Sequence, residues 1–248
     1  MPVNINTALK IGIGLVGRWG NQFVDKWIES ANRSGDVFLV VDNGIDKEAR
    51  EKIINHPKTK HYHIQNYPSR NMSRDYQKVL DYAKEEKCDW VWIMDFDKYV
   101  PDFNIYGLKG FLLDSNEESI SFPLFKCRGD NKHYVMINDK DGQLKHARLA
   151  HEMYRVKSHF CYDIRDEHSG VIPQNCKAED RLIWIPIHHF GHMTKELREE
   201  KRQKYIKDKE EFGYDDKGEL SAPWMEEDET KIVVKEFSEI GGIKEDGN

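Results

Sequence analysis

Two carboxylates, Asp95 and Asp97, stand one residue apart directly after the apolar run Trp90-Val91-Trp92-Ile93-Met94. Bulky apolar residues without polar alternation read as a strand buried on both faces, as in a parallel sheet. Open α/β sheets gather their ligands at the carboxyl ends of the strands. Two acids at such an end offer hard oxygen ligands for Mg²⁺ or Mn²⁺, and an ion held there clamps a phosphate-bearing molecule. The competing reading is a chain returning to solvent, or an acid capping the next helix. A second concentration is His188-His189-Phe190-Gly191-His192, three histidines in five residues at the end of an apolar stretch. Neutral imidazole suits a metal of the same kind. Successive strand residues face opposite ways, so His188 and His189 are not both ligands. His189 is favoured, then His192, and the plain alternative is a set of partly exposed loop histidines.

Other residues are weighed the same way. Asp163-Ile164-Arg165-Asp166-Glu167-His168 clusters acids in a loop, and Glu179-Asp180 is a second acidic pair. A general base needs only a carboxylate within reach of a hydroxyl; ordinary loop charge is the alternative, and the better reading for Glu179-Asp180. Arg70 and Arg74 flank the start of a helix, which already favours an anion. Asp42 ends an apolar strand near Arg18, where its carboxylate could accept hydrogen bonds from a base or ribose. Gly12-Ile13-Gly14-Leu15-Val16-Gly17 matches the GxGxxG dinucleotide pattern. That fingerprint needs its glycines after the strand, in the turn that opens the helix. Here the apolar helical stripe begins only at Phe23, so the glycines fall mostly inside the strand.

These residues need elements to position them. Leu9 to Val16 reads as a first strand, followed by a helix with Phe23, Val24, Trp27, Ile28 and Ala31 on one stripe. Val37 to Val41 is a second buried strand, closed by an Asn43-Gly44 turn, with Asp46 capping a charged helix through Ile54. His61 to Gln65 is a short third strand. Asn71 or Ser73 caps a helix with Tyr76, Val79, Leu80 and Ala83 at helical spacing, and the Trp90 strand follows. The chain is expected to turn at Tyr99-Val100-Pro101, which puts Asp97 on the ion and Asp95 toward a ribose or a metal-bound water. This β-α-β order predicts a doubly wound, mostly parallel sheet. Later strands are expected at Ser119 to Lys126, His133 to Asn138, Met153 to Lys157 and Leu182 to Ile187, with a turn at Asp139 to Gly142. Thr194 then caps a charged helix reaching about Lys209.

The chain has 248 residues, 38% hydrophobic and 33% charged, with a net charge of −6. That suffices for a sizeable core. An acidic balance argues against a stable nucleic-acid complex. Cys88, Cys127, Cys161 and Cys176 are scattered without a CxxC pair, which fits reduced thiols in a cytoplasmic protein. No apolar run approaches membrane-spanning length, and the first ten residues lack a signal-peptide core.

Taken together, the strand and helix around Arg18 and Asn21, Val40-Val41-Asp42-Asn43-Gly44-Ile45-Asp46, Ser69-Arg70-Asn71-Met72-Ser73-Arg74-Asp75, Ile93-Met94-Asp95-Phe96-Asp97 and the late histidines resemble a GT-A fold glycosyltransferase of the family 2 type, over about Lys10 to Tyr205. The resemblance implies an α/β fold: a single domain whose central sheet is doubly wound, mostly parallel but mixed, and flanked by helices. It implies a nucleotide-sugar-binding half at 1–105 and an acceptor-binding and catalytic half at 106–213; residues 214–248 are rich in acids and are expected to form a tail, partly disordered. It further implies Mn²⁺ or Mg²⁺ on Asp97 and Asp95 with a late histidine, His189 or His192. Asp42 would contact the nucleoside, Arg18, Arg74 and Asp95 would border the donor, and Glu167 or Asp166 would be the base of an inverting transfer from a UDP- or GDP-sugar to an acceptor hydroxyl. One departure is that Ile45 stands where that family carries a serine-threonine pair. The alternatives are an NAD(P)-dependent oxidoreductase using Gly12 to Gly17, a nucleotidyltransferase using the same acids, and a non-catalytic binding module.

Overall fold

A computed structural model describes residues 9–20, 22–65, 71–138, 144–145, 147–163, 171–177, 181–212, 225 and 232–239. In chain order its elements are β1 (Ile11–Trp19), α1 (Val24–Ser34), β2 (Val37–Ile45), α2 (Lys47–Ile54), β3 (Thr59–Ile64), α3 (Met72–Glu85), β4 (Trp90–Ile93), β5 (Lys98–Tyr99), α4 (Ile105–Asp114), β6 (Ser119–Cys127), β7 (His133–Val135), β8 (Ile137–Asn138), β9 (Leu144–Lys145), β10 (Arg148–Arg155), β11 (Ile187–His189), α5 (Lys195–Phe212) and β12 (Val234–Glu236), then a 3₁₀ turn at Phe237–Glu239. They divide into two compact units, residues 1–122 with 150–185, and residues 123–149 with 186–248.

The first unit is an α/β fold on a mixed sheet. β1 pairs in parallel with β2 and with β4, β2 pairs in parallel with β3, and β10 runs antiparallel to β4 with Met153 opposite Trp92. All four residues of β4 are fully buried, as the unbroken apolar run requires. The period of two along β2 sorts its side chains between two helical layers. Val37, Leu39 and Val41 join Tyr76, Val79, Leu80 and Ala83 of α3 on one face. On the other face, Phe38 meets Trp27 of α1 edge to face at 5.2 Å. Asn71 caps α3, accepting a hydrogen bond from the Arg74 N–H.

Several boundaries differ from expectation. β1 runs on to Trp19, so Gly12, Gly14 and Gly17 all lie inside the strand. β2 passes through Asp42, Asn43 and Gly44 to Ile45 instead of turning there. An irregularity between Gly17 and Trp19 absorbs the change, with Gly44 at φ 104° and the Asp42 side chain holding the backbone. Asp46 precedes α2 without a side-chain cap. Helix α4 has no counterpart in the sequence reading; Asn104 caps it, and Leu108 and Leu112 are its buried stripe. The expected strand Leu182 to Ile187 reduces to a bridge between Leu182 and Ser121, with the strand proper beginning at Ile187.

The second unit is also built on paired strands. β7 pairs antiparallel with the end of β6 and with β12, and β11 lies parallel to β6 with His188 opposite Phe125. Phe125, Tyr134 and Phe237 pack mutually within 5.1 Å, and His188 stacks on Phe237 at 4.2 Å. The 139–142 turn and most of the 214–248 tail lie outside the described residues, the tail being described at 225 and at 232–239.

Candidate active site

In the first unit, chemistry collects at the carboxyl ends of the parallel strands. β4 stops at Ile93. Met94 donates its N–H to the Gly14 carbonyl, and its own carbonyl accepts from the Trp27 indole at 2.8 Å. The next four residues, Asp95-Phe96-Asp97-Lys98, form a tight turn closed by the Lys98 N–H on the Asp95 carbonyl at 3.0 Å. Phe96 and Asp97 are its corner. α1 also holds the far side of this turn. The Ser30 hydroxyl accepts the Val100 N–H at 2.8 Å, and Arg33 donates to the Val100 carbonyl at 2.7 Å. The turn therefore comes earlier than the expected 99–101 bend.

Phe96 anchors the corner. It is buried against Trp27, ring to ring at 5.8 Å. A β-carbon on Gly17 would come within 2.8 Å of its ring, and one on Gly20 within 2.5 Å. Gly12 and Gly14 are equally hemmed in, Gly14 by Ile93 and Val79 at 2.6 and 2.7 Å. The glycines thus bring α3, β4 and Phe96 close to β1. They form no phosphate loop, which removes the structural basis of the dinucleotide reading.

Asp95 is tied to two residues the sequence reading did not single out. The buried Lys98 ammonium meets Asp95 Oδ2 at 2.7 Å and the carboxylate of Glu152, on β10, at 2.8 and 2.9 Å. Burial alone would pull this lysine down; Asp95 and Glu152 outweigh it and hold the ammonium well above the usual lysine range. The neighbouring Tyr76 phenol is pushed up, first by burial and then by the charge of Asp95. Asp95 keeps 38% of its side chain exposed, and Asp97 is half-buried.

Asp42, expected to contact a nucleoside, is bonded within the protein. It is fully buried, and its carboxylate accepts from the N–H groups of Gly44 and Ile45, from Arg50 at 2.6 Å and from the Tyr62 hydroxyl at 2.8 Å. Those four bonds use a carboxylate's lone-pair sites, so Asp42 shapes the end of β2. Beside it, Asn43 and Gln65 converge on the buried Asp75, with Arg74 on the same carboxylate at 2.7 Å. Burial raises the Asp75 pKa against the pull of Arg74. Arg74 thus borders the strand ends with part of its side chain exposed, while Arg18 lies over Gly44, its Cγ 3.5 Å from where a β-carbon would stand. Arg70, Asp166, Glu167, Glu179 and Asp180 lie outside the described residues.

In the second unit, His189 is buried on β11 and His188 half-buried, as strand alternation requires. His189 and the buried His192 stack with ring centroids 5.1 Å apart. The buried Arg198 donates to the His192 carbonyl at 3.1 Å. A cavity of about 410 Å³ opens here, lined by Arg128, Lys195 and Arg198 with Gly129, Met193, Thr194 and Val234. Among the described residues its charged lining is basic. Among the described residues, no group of three or more His, Cys, Asp or Glu stands ready to hold a metal ion. Asp95 and Asp97 nonetheless fit Mg²⁺ or Mn²⁺ as a donor set, because such ions are commonly held by one or two carboxylates completed by substrate phosphates.

No protein-family model matches the chain, and no curated protein matches it. Among solved structures it is similar to Staphylococcus aureus TarS, at 11% identity and a TM-score of 0.48, over 81% of this chain and 40% of that one. TarS 1–349 gives 12% identity and a TM-score of 0.47, over 80% of this chain and 66% of that one. TarS 1–349 in complex with UDP gives 13% identity and 0.44, over 60% and 47%. The chain spans between 40% and 66% of the length of these three structures. Among the described residues, no helix is long and apolar enough to cross a membrane.

Proposed function

We propose that the chain transfers a sugar from a UDP- or GDP-linked donor to an acceptor hydroxyl. The observation that carries this reading is the Asp95–Lys98 turn: two carboxylates on a hydrogen-bonded corner, at the carboxyl end of a buried parallel strand. With Mn²⁺ or Mg²⁺ bound, the ion would neutralise charge on the departing diphosphate. Asp97, at the corner, would hold the ion directly, and Asp95 would lie toward the donor's ribose or a metal-bound water. Arg18 and Arg74 border the donor. Glu167 or Asp166 takes the proton from the acceptor hydroxyl as it attacks, with inversion at the sugar. The basic cavity of the second unit suits an anionic group of one of the substrates.

A thermal-shift screen of nucleotide sugars, nucleoside triphosphates and NAD(H), each with and without Mn²⁺, tests this. UDP and UDP-sugars are the first ligands to try. Stabilisation by a UDP- or GDP-sugar that depends on Mn²⁺, with slow release of the nucleoside diphosphate, is expected. Stabilisation by triphosphates alone would point to nucleotidyl transfer. Binding of NAD(H) without metal would overturn the reading, as would donor binding with no turnover, which leaves a binding module.

A further inference from the structure

Lys98 and Glu152 are 54 residues apart and make the buried ion pair of the first unit that reaches the acidic turn. An isolated buried ammonium is costly, and a buried pair repays its desolvation only when every donor is matched. Here the match is complete. The three N–H donors of Lys98 face Asp95 Oδ2 and both oxygens of Glu152, at 2.7, 2.9 and 2.8 Å. The lysine is therefore spent within the protein and has no donor left to offer a substrate. What it does instead is hold Asp95. The same two residues are joined again through the backbone, by the Lys98 N–H on the Asp95 carbonyl, so both the side chain and the main chain of Asp95 are tied to one position. Glu152 comes from β10, whose next residue, Met153, pairs with Trp92 in the ladder. The anchor thus rests on the sheet and not on a loop. Glu152 itself is 3% exposed.

We propose that Lys98 and Glu152 are positioning residues: Glu152 fixes Lys98, and Lys98 fixes the Asp95 carboxylate for the metal-nucleotide complex. This rests on the function proposed above. It also makes a charge statement. Asp95, Asp97, Lys98 and Glu152 sum to −2, which a divalent ion brings to zero.

The test uses the full chain as wild type, as Glu152→Gln, and as the double variant Lys98→Met with Glu152→Leu, which removes both buried charges together and keeps the core apolar. Mn²⁺-dependent UDP binding is measured by titration calorimetry alongside metal-free UDP binding. The double variant is expected to weaken the Mn²⁺-dependent binding about tenfold, and metal-free binding by clearly less. Glu152→Gln leaves Lys98 to Asp95 alone and is expected to weaken Mn²⁺-dependent binding in the same direction. Equal affinity in all three proteins, or a parallel loss with and without metal, overturns the proposal. Hydrogen exchange on the ligand-free proteins separates it from the function reading. Faster exchange confined to residues 94–100 in the double variant sustains the positioning role even if no nucleotide binds. Exchange like that of the wild type overturns it, whereas a wild-type chain that binds no nucleotide overturns the function reading alone.

Discussion

Asp97 sits at the corner of a turn in which Phe96 is buried in the core and Asp95 pairs with Lys98. Replacing it with Asn keeps the shape and removes the charge. Asp97→Asn is expected to lower Mn²⁺-dependent donor hydrolysis by about a hundredfold or more, read as released nucleoside diphosphate; turnover at the wild-type rate would remove Asp97 from the metal. Asp42 makes a contrasting case. With four donors converging on it, Asp42→Asn should cost about 2–4 kcal/mol of stability in urea unfolding. A loss of donor binding without that loss of stability would restore Asp42 as a ligand contact. Both acids looked alike in the sequence, because each ends an apolar strand. Their difference lies in Arg50 and Tyr62, which reach Asp42 from the following helix and strand.

Among the elements, β1 and α1 do the positioning. β1 alternates Ile11, Ile13 and Leu15 with Gly12 and Gly14, so one face is bulky and the other admits α3 and β4 closely. Gly14→Ala would press a β-carbon to 2.6 Å from Ile93 Cδ1. It should cost about 1–3 kcal/mol, measured by chemical denaturation; an unchanged midpoint would show that the sheet yields at this point. Gly20, at φ 112°, combines a left-handed backbone with the Phe96 ring, so Gly20→Ala strains the chain and displaces the acidic corner together. Trp27 links α1 to the last residue before the acids. Trp27→Phe should lose about 1–2 kcal/mol and slow donor turnover, since the ring is kept while the anchor on the Met94 carbonyl is gone. A helical stripe in the sequence names Trp27 as core; only its indole N–H partner shows that it also holds the turn. Helix α4 escaped the sequence reading because Pro101 and two glycines, Gly107 and Gly110, masked the Leu108 and Leu112 spacing.

At the scale of the whole molecule, acid should loosen the first unit. Lys10 holds the Glu86 carboxyl below its ordinary value, and Lys157 with the Lys177 N–H does the same for Glu118. A carboxyl whose folded value is depressed stabilises the fold above its unfolded value and loses that contribution as pH falls through the folded one. Thermal midpoints should therefore decline below pH 4.5, the ordinary glutamate value. The pair of changes Glu86→Gln and Glu118→Gln should flatten that decline, and a decline as steep as that of the wild type would assign it to other groups. Asp75 works in the opposite sense, because burial raises its folded value, so its protonation on acidification favours the folded state.

The order of strands and helices through β4 was legible from the chain alone, because burial patterns of period two and period 3.6 are local properties. So was the place of Asp95 and Asp97 at the end of a buried strand, although the turn was expected at 99–101 and falls at 95–98. Tertiary structure decided the rest. It showed that the GxGxxG spacing is close packing and that Asp42 is spent on Arg50, Tyr62 and its own strand end. It also showed that Asp95 answers to Lys98 and Glu152. Each of these depends on which distant side chain shares a buried volume, and a contact across 54 residues leaves no periodic trace in the sequence.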